Sequence, residues 1–333
     1  MKRPGDDEPM SSEIPRERVD ATYGLTAPAP GEALRRILVP LDGSGLAESA
    51  LPLAAQVARA FHATLVLLHI LERHAPKTVH GEPHLTTPAE SEAYLTELTA
   101  QIAATGLAVE HHTHEVPEGD VARSIAEHGD DERINLIVLC THGAGGLRGA
   151  LWGSIAQQVL QRGTVPVLLS RPGAVQTTGT FAPTTIMVPL DATAAAERAL
   201  APATAFARHY DATLRLVVVV ATPETVPTGQ QAVATMLPSA TRALLDLAEQ
   251  QAAAYLEGLA KTLRGQGLAV VTEVRRGDAV RQLATDTGEH ADALVVVATH
   301  GRAGLQAIWS GSVAGRLLAR TTAPVLLVRI VDA

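Results

Sequence analysis

Short apolar runs alternate along the chain with longer segments in which apolar residues recur every three or four positions. The runs of the first half are mostly continuous, which is typical of parallel strands buried on both faces. The segments between them have helical spacing, and Asp120 and Ser154 are suitable N-caps for the third and fourth helices. The order βαβαβαβαβ predicts an α/β unit with a parallel sheet. The predicted strands cover residues 37–40, 64–70, 108–116, 136–140 and 165–169.

The whole pattern occurs twice. Arg36 to Asp42 (RILVPLD) is matched by Thr185 to Asp191 (TIMVPLD), 149 residues further on, and the later segment Thr141-His142-Gly143 is matched at a spacing of 158 residues. Copy two therefore carries nine extra residues, which fall after its second strand and before Glu273. A period of about 150 residues corresponds to a whole domain in each copy. Pro52 and Pro202 lie in the first helical pattern of each copy and predict a kink or a delayed helix start.

The remaining segments mark the borders of the two copies. Residues 1–33 are rich in Pro, Gly and charge without periodicity, and they predict a disordered tail. Residues 172–183 lack apolar patterning and are predicted to be a linker between domains at 34–171 and 184–331. The last strand of each copy is apolar and would expose an open edge, so the copies are expected to pack as an intramolecular pseudo-dimer. Further self-association stays open.

Composition narrows the classes of partner. Hydrophobic residues make up 46% and aromatic residues 3% of the 333 residues, so the core is aliphatic. The formal net charge of −8 argues against nucleic acid as a partner. The longest apolar run, residues 216–221, is far shorter than the roughly 20 residues that cross a bilayer, so no membrane association is expected. With one cysteine, Cys140, and no apolar stretch near the start, the expected location is the cytoplasm.

Glycine and serine follow the fourth strand of each copy at the same spacing. One glycine comes shortly after the strand, and nine residues later a Gly-Ser pair opens the next helix. Glycine permits close backbone approach, and a helix start offers free N–H groups to an anion, so the motif is suited to a phosphate. The alternative is that the glycines shape a loop and the serines cap a helix. The motif comprises Gly143, Gly153 and Ser154 in copy one and Gly301, Gly311 and Ser312 in copy two.

Together with Pro40-Leu41-Asp42 and Pro189-Leu190-Asp191 at the ends of the first strands, this motif resembles the universal stress protein family in its tandem form. The resemblance covers residues 35–170 and 184–329. It departs from the family pattern where the first motif glycine is replaced by Cys140 and by Ala298. The resemblance implies two Rossmann-like domains, each an open five-stranded parallel sheet of order 3-2-1-4-5 with helices on both faces. It also implies ATP in the crevice at the carboxyl ends of strands 1 and 4.

The same resemblance implies the binding residues. In copy one they are Pro40, Asp42, Ile70, Leu139, Cys140, Gly143, Gly153, Ser154 and Ile155, and in copy two Pro189, Asp191, Val219, Val297, Ala298, Gly301, Gly311, Ser312 and Val313. A carboxylate at position 42 suits ribose hydroxyls, although it also suits the cap of the following helix. Because Ala298 is smaller than Cys140, copy two is expected to accept the nucleotide more readily.

Other polar residues are given structural roles. His112 and His114 alternate on a strand and would share one face, but copy two has no such cluster, so metal binding is the less favoured interpretation and no metal ligand is assigned. Cys140 is expected to be a buried inert thiol, and His142 and His300 to make structural hydrogen bonds. The sequence contains no Walker motif. No catalytic residue is assigned, and Arg148 and Arg302 are interpreted as solvated.

Three functions are compatible with these features. The first is a stress-response protein that binds ATP, with Mg²⁺ as an accompanying ion, and acts as a nucleotide-dependent binder or switch toward protein partners. The second is a scaffold of the same fold that leaves its pockets empty. The third is a slow ATPase, which the missing Walker lysine disfavours.

Overall fold

The computed structural model describes residues 34–73, 78–79, 81–117, 120–141, 154–173, 180–226, 228–290, 292–300 and 313–330. The strands are β1 (Arg36–Leu41), β2 (Thr64–Glu72), β3 (Thr78–Val79), β4 (Glu82–Pro83), β5 (Val109–Val116), β6 (Leu136–Cys140), β7 (Val167–Ser170), β8 (Thr185–Leu190), β9 (Thr213–Val220), β10 (Val270–Arg276), β11 (Ala293–His300) and β12 (Val325–Ile330). The helices are α1 (Gly45–Glu48), α2 (Leu51–Phe61), α3 (Pro88–Ala103), α4 (Val121–Asp131), α5 (Ser154–Arg162), α6 (Ala194–Glu197), α7 (Leu200–Tyr210), α8 (Thr228–Met236), α9 (Pro238–Gly265), α10 (Ala279–Glu289) and α11 (Val313–Leu318). The predicted tail at residues 1–33 lies outside the described residues.

Ten strands form one sheet with the order β10-β9-β8-β11-β12-β7-β6-β1-β2-β5. Within each copy the five strands are parallel and stand in the order 3-2-1-4-5. Helices α2, α3, α7 and α9 cover one face, and α4, α5, α10 and α11 cover the other, with an aliphatic core under each layer. The predicted α/β class with parallel strands is confirmed. No helix in the described part of the chain has both the length and the apolar composition that a bilayer requires.

The first helical segment of each copy is divided in two. Ser44 caps a one-turn helix, and α2 then begins at Leu51 with Pro52 in its first turn, where proline costs no hydrogen bond. Copy two repeats this division, since α7 begins only at Leu200. The delayed start that the prolines predicted is therefore observed. Copy two also has the additional helix α8 and the 28-residue α9 between its second and third strands, where the extra residues were predicted.

Two local expectations need correction. β5 is an edge strand with half-buried and exposed side chains, and it is not buried on both faces. No strand in the described part of the chain pairs with its outer side. Asp120 precedes α4 without a side-chain capping hydrogen bond, whereas its counterpart Asp278 accepts one from the backbone N–H of Arg281 at 2.9 Å. The N-cap role thus holds in copy two and fails in copy one.

The two copies join through their last strands. β7 and β12 pair antiparallel, with Leu168 opposite Leu326, so both edges lie inside the sheet. A second contact forms where α2 meets α7, since the ring of Phe61 stacks on His209 with centroids 3.9 Å apart. Phe181 and Phe206 belong to the same aromatic cluster, which therefore contains all three phenylalanines of the chain.

Candidate functional site

A cavity opens at the carboxyl ends of the central strands in each copy. In copy one it has a volume of about 330 Å³ and lies between the ends of β1, β2 and β6. In copy two it has a volume of about 770 Å³ and lies between the ends of β8, β9 and β11. The segments that follow the first and fourth strands run to opposite faces of the sheet and leave a crevice here. Open α/β sheets bind their ligands in such a crevice.

Six predicted positions in each copy line these cavities. They are Pro40, Asp42, Ile70, Leu139, Cys140 and Ile155 in copy one, and Pro189, Asp191, Val219, Val297, Ala298 and Val313 in copy two. The two sets occupy equivalent places, so the structure brings the predicted residues together twice.

The remaining predicted positions belong to the loops after the fourth strands. Ser154 begins α5, but its side chain is outside what the structure describes, as is that of His300 at the end of β11. Gly143, Gly153, Gly301, Gly311 and Ser312 lie outside the described residues, together with His142, Arg148 and Arg302. The described part of each cavity therefore comprises the predicted base and sugar side and, of the predicted phosphate-side residues, the side chains of only Ile155 and Val313.

Asp42 has a local structural partner as well as a place in the cavity wall. Its Oδ1 accepts hydrogen bonds from the backbone N–H of Ser44 at 2.9 Å and from the Ser44 hydroxyl at 2.6 Å. Asp191 makes the same pair of bonds to Thr193, at 3.0 and 2.6 Å. Ser44 and Thr193 in turn cap α1 and α6. Each aspartate therefore fixes the turn that leads away from the first strand, which is the alternative role that the sequence left open.

Cys140 lies at the end of β6 beside α1. Its Sγ accepts a hydrogen bond from the hydroxyl of Ser49 at 2.8 Å, and burial raises the pKa of the thiol. The thiol is therefore protonated near neutral pH, and the protonated form is a poor nucleophile. The protonated state fits the inert thiol expected from the sequence, but the expected burial is wrong, because Cys140 is only half-buried and lines the cavity.

Comparison with known proteins places this architecture in a family. A family model described as the universal stress protein family matches residues 33–171 and again residues 183–329. The chain belongs to the universal stress protein family. Universal stress protein YxiE of Bacillus subtilis is 27% identical over 148 residues, which are 41% of this chain and 98% of that protein. One relative of that kind thus corresponds to about one copy, and this chain is a tandem universal stress protein.

A solved structure shows the same fold over most of the chain. A universal stress protein from Archaeoglobus fulgidus DSM 4304 superposes with a TM-score of 0.64 at 15% identity, covering 90% of this chain and 98% of that one. A further universal stress protein, solved in complex with cAMP, matches 43% of this chain and 100% of its own at 24% identity with a TM-score of 0.33.

Copy one of this universal stress protein has a cover over its cavity that the sequence analysis missed. The short hairpin of β3 and β4 contributes Val79 to the cavity lining, and His84 follows it. The Glu82 carboxylate accepts a hydrogen bond from the backbone N–H of Gly45 at 2.9 Å, which ties the hairpin to the start of α1. These side chains fill part of the crevice, and the cavity is smaller than in copy two.

The backbone turn after Asp42 differs between the copies. Gly43 has a φ of +85°, and a Cβ at this position would lie 2.9 Å from Cγ of Leu85, directly after the hairpin. Ala192 holds the equivalent place in copy two with a φ of +61°. The Leu85 side chain thus adds a steric constraint at Gly43 in copy one to that of the left-handed backbone.

Gly43→Ala should destabilise the protein by about 2 kcal/mol, because it adds left-handed strain and a clash with Leu85. Gly81→Ala is the matched control, since Gly81 also has a φ of +85° but a Cβ there would have no neighbour within 4 Å. The control should cost about 1 kcal/mol, from backbone strain alone. Urea unfolding curves measure both changes, and equal losses would show that the contact with Leu85 does not constrain the turn.

A buried histidine stands behind the first cavity. His69 on β2 is 1% exposed, and its Nδ1 lies 2.8 Å from the carbonyl oxygen of Leu41. Burial lowers the pKa of this imidazole, so it is neutral and its Nδ1–H donates to the carbonyl. The bond holds the end of β1 next to Asp42. Copy two has Val218 at the equivalent position, so this device belongs to copy one.

Two tyrosines occupy equivalent places near the cavities. The hydroxyl of Tyr94 donates to Glu48 at 2.9 Å, and that of Tyr255, which lines the second cavity, donates to Glu197 at 3.0 Å. Burial raises the pKa of both phenols, so both remain protonated donors. Each pair connects the short helix after the first strand to the helix after the second strand.

Proposed function

We propose that this universal stress protein binds an adenine nucleotide, ATP with Mg²⁺ as an accompanying ion, at the carboxyl ends of strands 1 and 4. In this proposal nucleotide occupancy alters its contacts with protein partners in the stress response. The observation that carries the proposal is the repeated cavity. The six positions of copy one that the family resemblance assigned to the nucleotide and whose side chains are described all line one cavity, and their equivalents line one cavity in copy two.

The chemistry of the walls supports a nucleotide. Aliphatic side chains such as Ile70, Leu139 and Val219 offer apolar contact to a base, and one aspartate per cavity offers an acceptor to sugar hydroxyls. The first turn of α5 lies at the same cavity through Ile155 and Ala156, and the amino end of a helix favours phosphate. Pockets for such ligands measure roughly 300–1,000 Å³. Copy two, with about 770 Å³ and Ala298 in its wall, is the better candidate.

We expect the protein to be a nucleotide binder more than a turnover enzyme. Among the described residues that line either cavity there is no lysine or arginine. Rapid phosphoryl transfer requires cationic stabilisation of the transferred group, and the sequence has no Walker lysine to supply it, so any ATP hydrolysis is expected to be slow.

A scaffold that works through protein contacts alone is the second candidate for copy one. Its cavity of about 330 Å³ is reduced by the tied hairpin, and Cys140 stands where the family has glycine. In this version only copy two takes a nucleotide, and copy one contributes surface.

Purified protein should carry adenine nucleotide, which heat releases for identification by mass spectrometry. Asp191→Asn should then weaken ATP binding about tenfold in calorimetry, because the charged acceptor for the ribose is lost while an oxygen remains for Thr193. Asp42→Asn is the matched control, and it should leave the affinity nearly unchanged if copy two is the binding copy. Unchanged affinity in the folded double variant, or no ATP binding by the native chain, would contradict the proposal.

A further inference from the structure

Three histidines of copy one lie together between edge strand β5 and helix α4. His112 and His114 alternate on edge strand β5 and share one face, and His128 reaches them from α4. The Nδ1 of His112 lies 3.0 Å from the Nε2 of His128, and the rings of His114 and His128 have centroids 4.6 Å apart. One ring nitrogen from each of the three lies within 4.8 Å of the other two.

The cluster consists of one buried imidazole and two more accessible ones. His128 is only 4% exposed, whereas His112 is half-buried and His114 is exposed. Metals bind histidine through a ring nitrogen that carries no proton. The 3.0 Å separation between His112 Nδ1 and His128 Nε2 is that of a hydrogen bond, so one of these nitrogens donates and the other accepts. A metal ion binds both once the donating ring carries its proton on its other nitrogen, and no proton is lost from the pair.

We propose that His112, His114 and His128 form a Zn²⁺ site with three imidazole ligands and one water. Zinc binds histidine nitrogens at about 2.0–2.1 Å in tetrahedral geometry, which places two ligating nitrogens about 3.3 Å apart. His112 and His128 therefore need to separate by only a few tenths of an ångström. His114 is exposed, so the ion enters from solvent and the fourth position faces water.

The charges around the cluster permit a cation. The charge of Arg36 acts on His128, and its guanidinium is already paired with Glu110 and with Glu132, the latter at 3.4 Å. Glu132 also acts on His128 with the sign that favours positive charge. The arginine is thus balanced by two carboxylates, and the imidazole cluster is open to a dication.

In copy two, an ion-pair cluster lies at the position equivalent to the histidine cluster. Asp286 is the counterpart of His128, and its Oδ1 lies 2.9 Å from Arg275 and 3.3 Å from Arg215. Its position near His290 and Glu289 has the spacing of a metal site, but its Oδ1 is already paired with the two arginines, while its Oδ2 has no hydrogen-bond partner among the described residues. Protein cations therefore occupy in copy two the place that the proposal gives to zinc in copy one.

The site is separate from the candidate nucleotide cavity. Val121 and Ile125 at the start of α4 line that cavity, whereas His128 lies near the far end of the same helix. None of the three histidines lines either cavity. The zinc proposal therefore does not depend on the proposed function.

Calorimetric titration of metal-free full-length protein, purified without a polyhistidine tag, with ZnCl₂ tests the site. The native chain should bind one ion with highest affinity, and His114→Gln should weaken that binding more than about 100-fold, beyond the loss typical for an outer partner of a ligating histidine. Because His114 is exposed, this variant is expected to fold, and circular dichroism checks it. His112→Gln should give a similar loss.

His111→Gln is the matched control. His111 lies on the same strand but faces Thr99 and Glu92, with its Nδ1 2.9 Å from the threonine hydroxyl. The control should bind zinc as tightly as the native chain. The proposal is overturned by a native chain that binds no zinc, by a His114→Gln protein with native affinity, or by an equal loss in His111→Gln, which would indicate non-specific binding by histidines.

Discussion

Asp286→Ala should destabilise copy two by about 3 kcal/mol, the lower end of the range for breaking a buried ion pair from one side. The carboxylate is 0% exposed and faces Arg275 and Arg215 at 2.9 and 3.3 Å. Its removal leaves two largely buried guanidinium groups that share only Glu273. The remaining carboxylate limits the loss, which is why the lower end of the range applies.

The loss should be measured by urea unfolding combined with hydrogen exchange of the amides in α10 and β10. Glu289→Ala is the control on the same helix, since that side chain is 60% exposed and lies 4.0 Å from Arg275. The control should change the unfolding free energy by less than about 0.5 kcal/mol. A loss below about 1 kcal/mol in Asp286→Ala would show that the arginines are satisfied without it.

Much of the sheet was predictable because strands buried on both faces consist of continuous runs of apolar residues. β2 and β11 are buried along most of their length, and their runs of apolar residues are correspondingly continuous. β5 was misjudged as a fully buried strand, although its sequence VEHHTHEV already has the polar character of an edge. As the last strand of the sheet, β5 has partly exposed side chains, and polar residues are tolerated there. Whether a strand lies at the edge depends on the strand order of the whole sheet, which the local sequence does not show.

The site residues that lie at the ends of strands were predictable from the sequence. Pro40, Asp42 and Cys140 stand at strand ends, and parallel strands bring their carboxyl ends to one edge. The hairpin bond between Glu82 and Gly45 joins residues 37 positions apart and leaves no periodic trace. His128 likewise gave no sign in the sequence, since only the packing of α4 against β5 brings it to His112.

Arginines at equivalent positions connect the two copies beyond the paired strands. The guanidinium of Arg171 donates to the carbonyl oxygens of Leu318 and Ala319 at 2.7 and 2.6 Å, at the end of α11. Arg329 donates to the carbonyl oxygen of Gly163 at 2.7 Å, directly after α5. A cation at the carboxyl end of a helix complements both its unpaired carbonyls and its dipole. Since α5 and α11 begin at the two cavities, each cavity helix is held at its far end by the other copy.

The double variant Arg171→Ala/Arg329→Ala should therefore lose about 3 kcal/mol of stability, from two hydrogen-bonding cations worth roughly 1.5 kcal/mol or more each. Each single variant should lose about half, because the two contacts are made to the ends of different helices and share no partner. Arg123→Ala, whose side chain is 61% exposed and pairs with Glu127, is the control and should change stability by less than about 0.5 kcal/mol. Urea unfolding measures all four proteins. If the double variant is as stable as the control, the paired strands and the aromatic cluster alone hold the copies together.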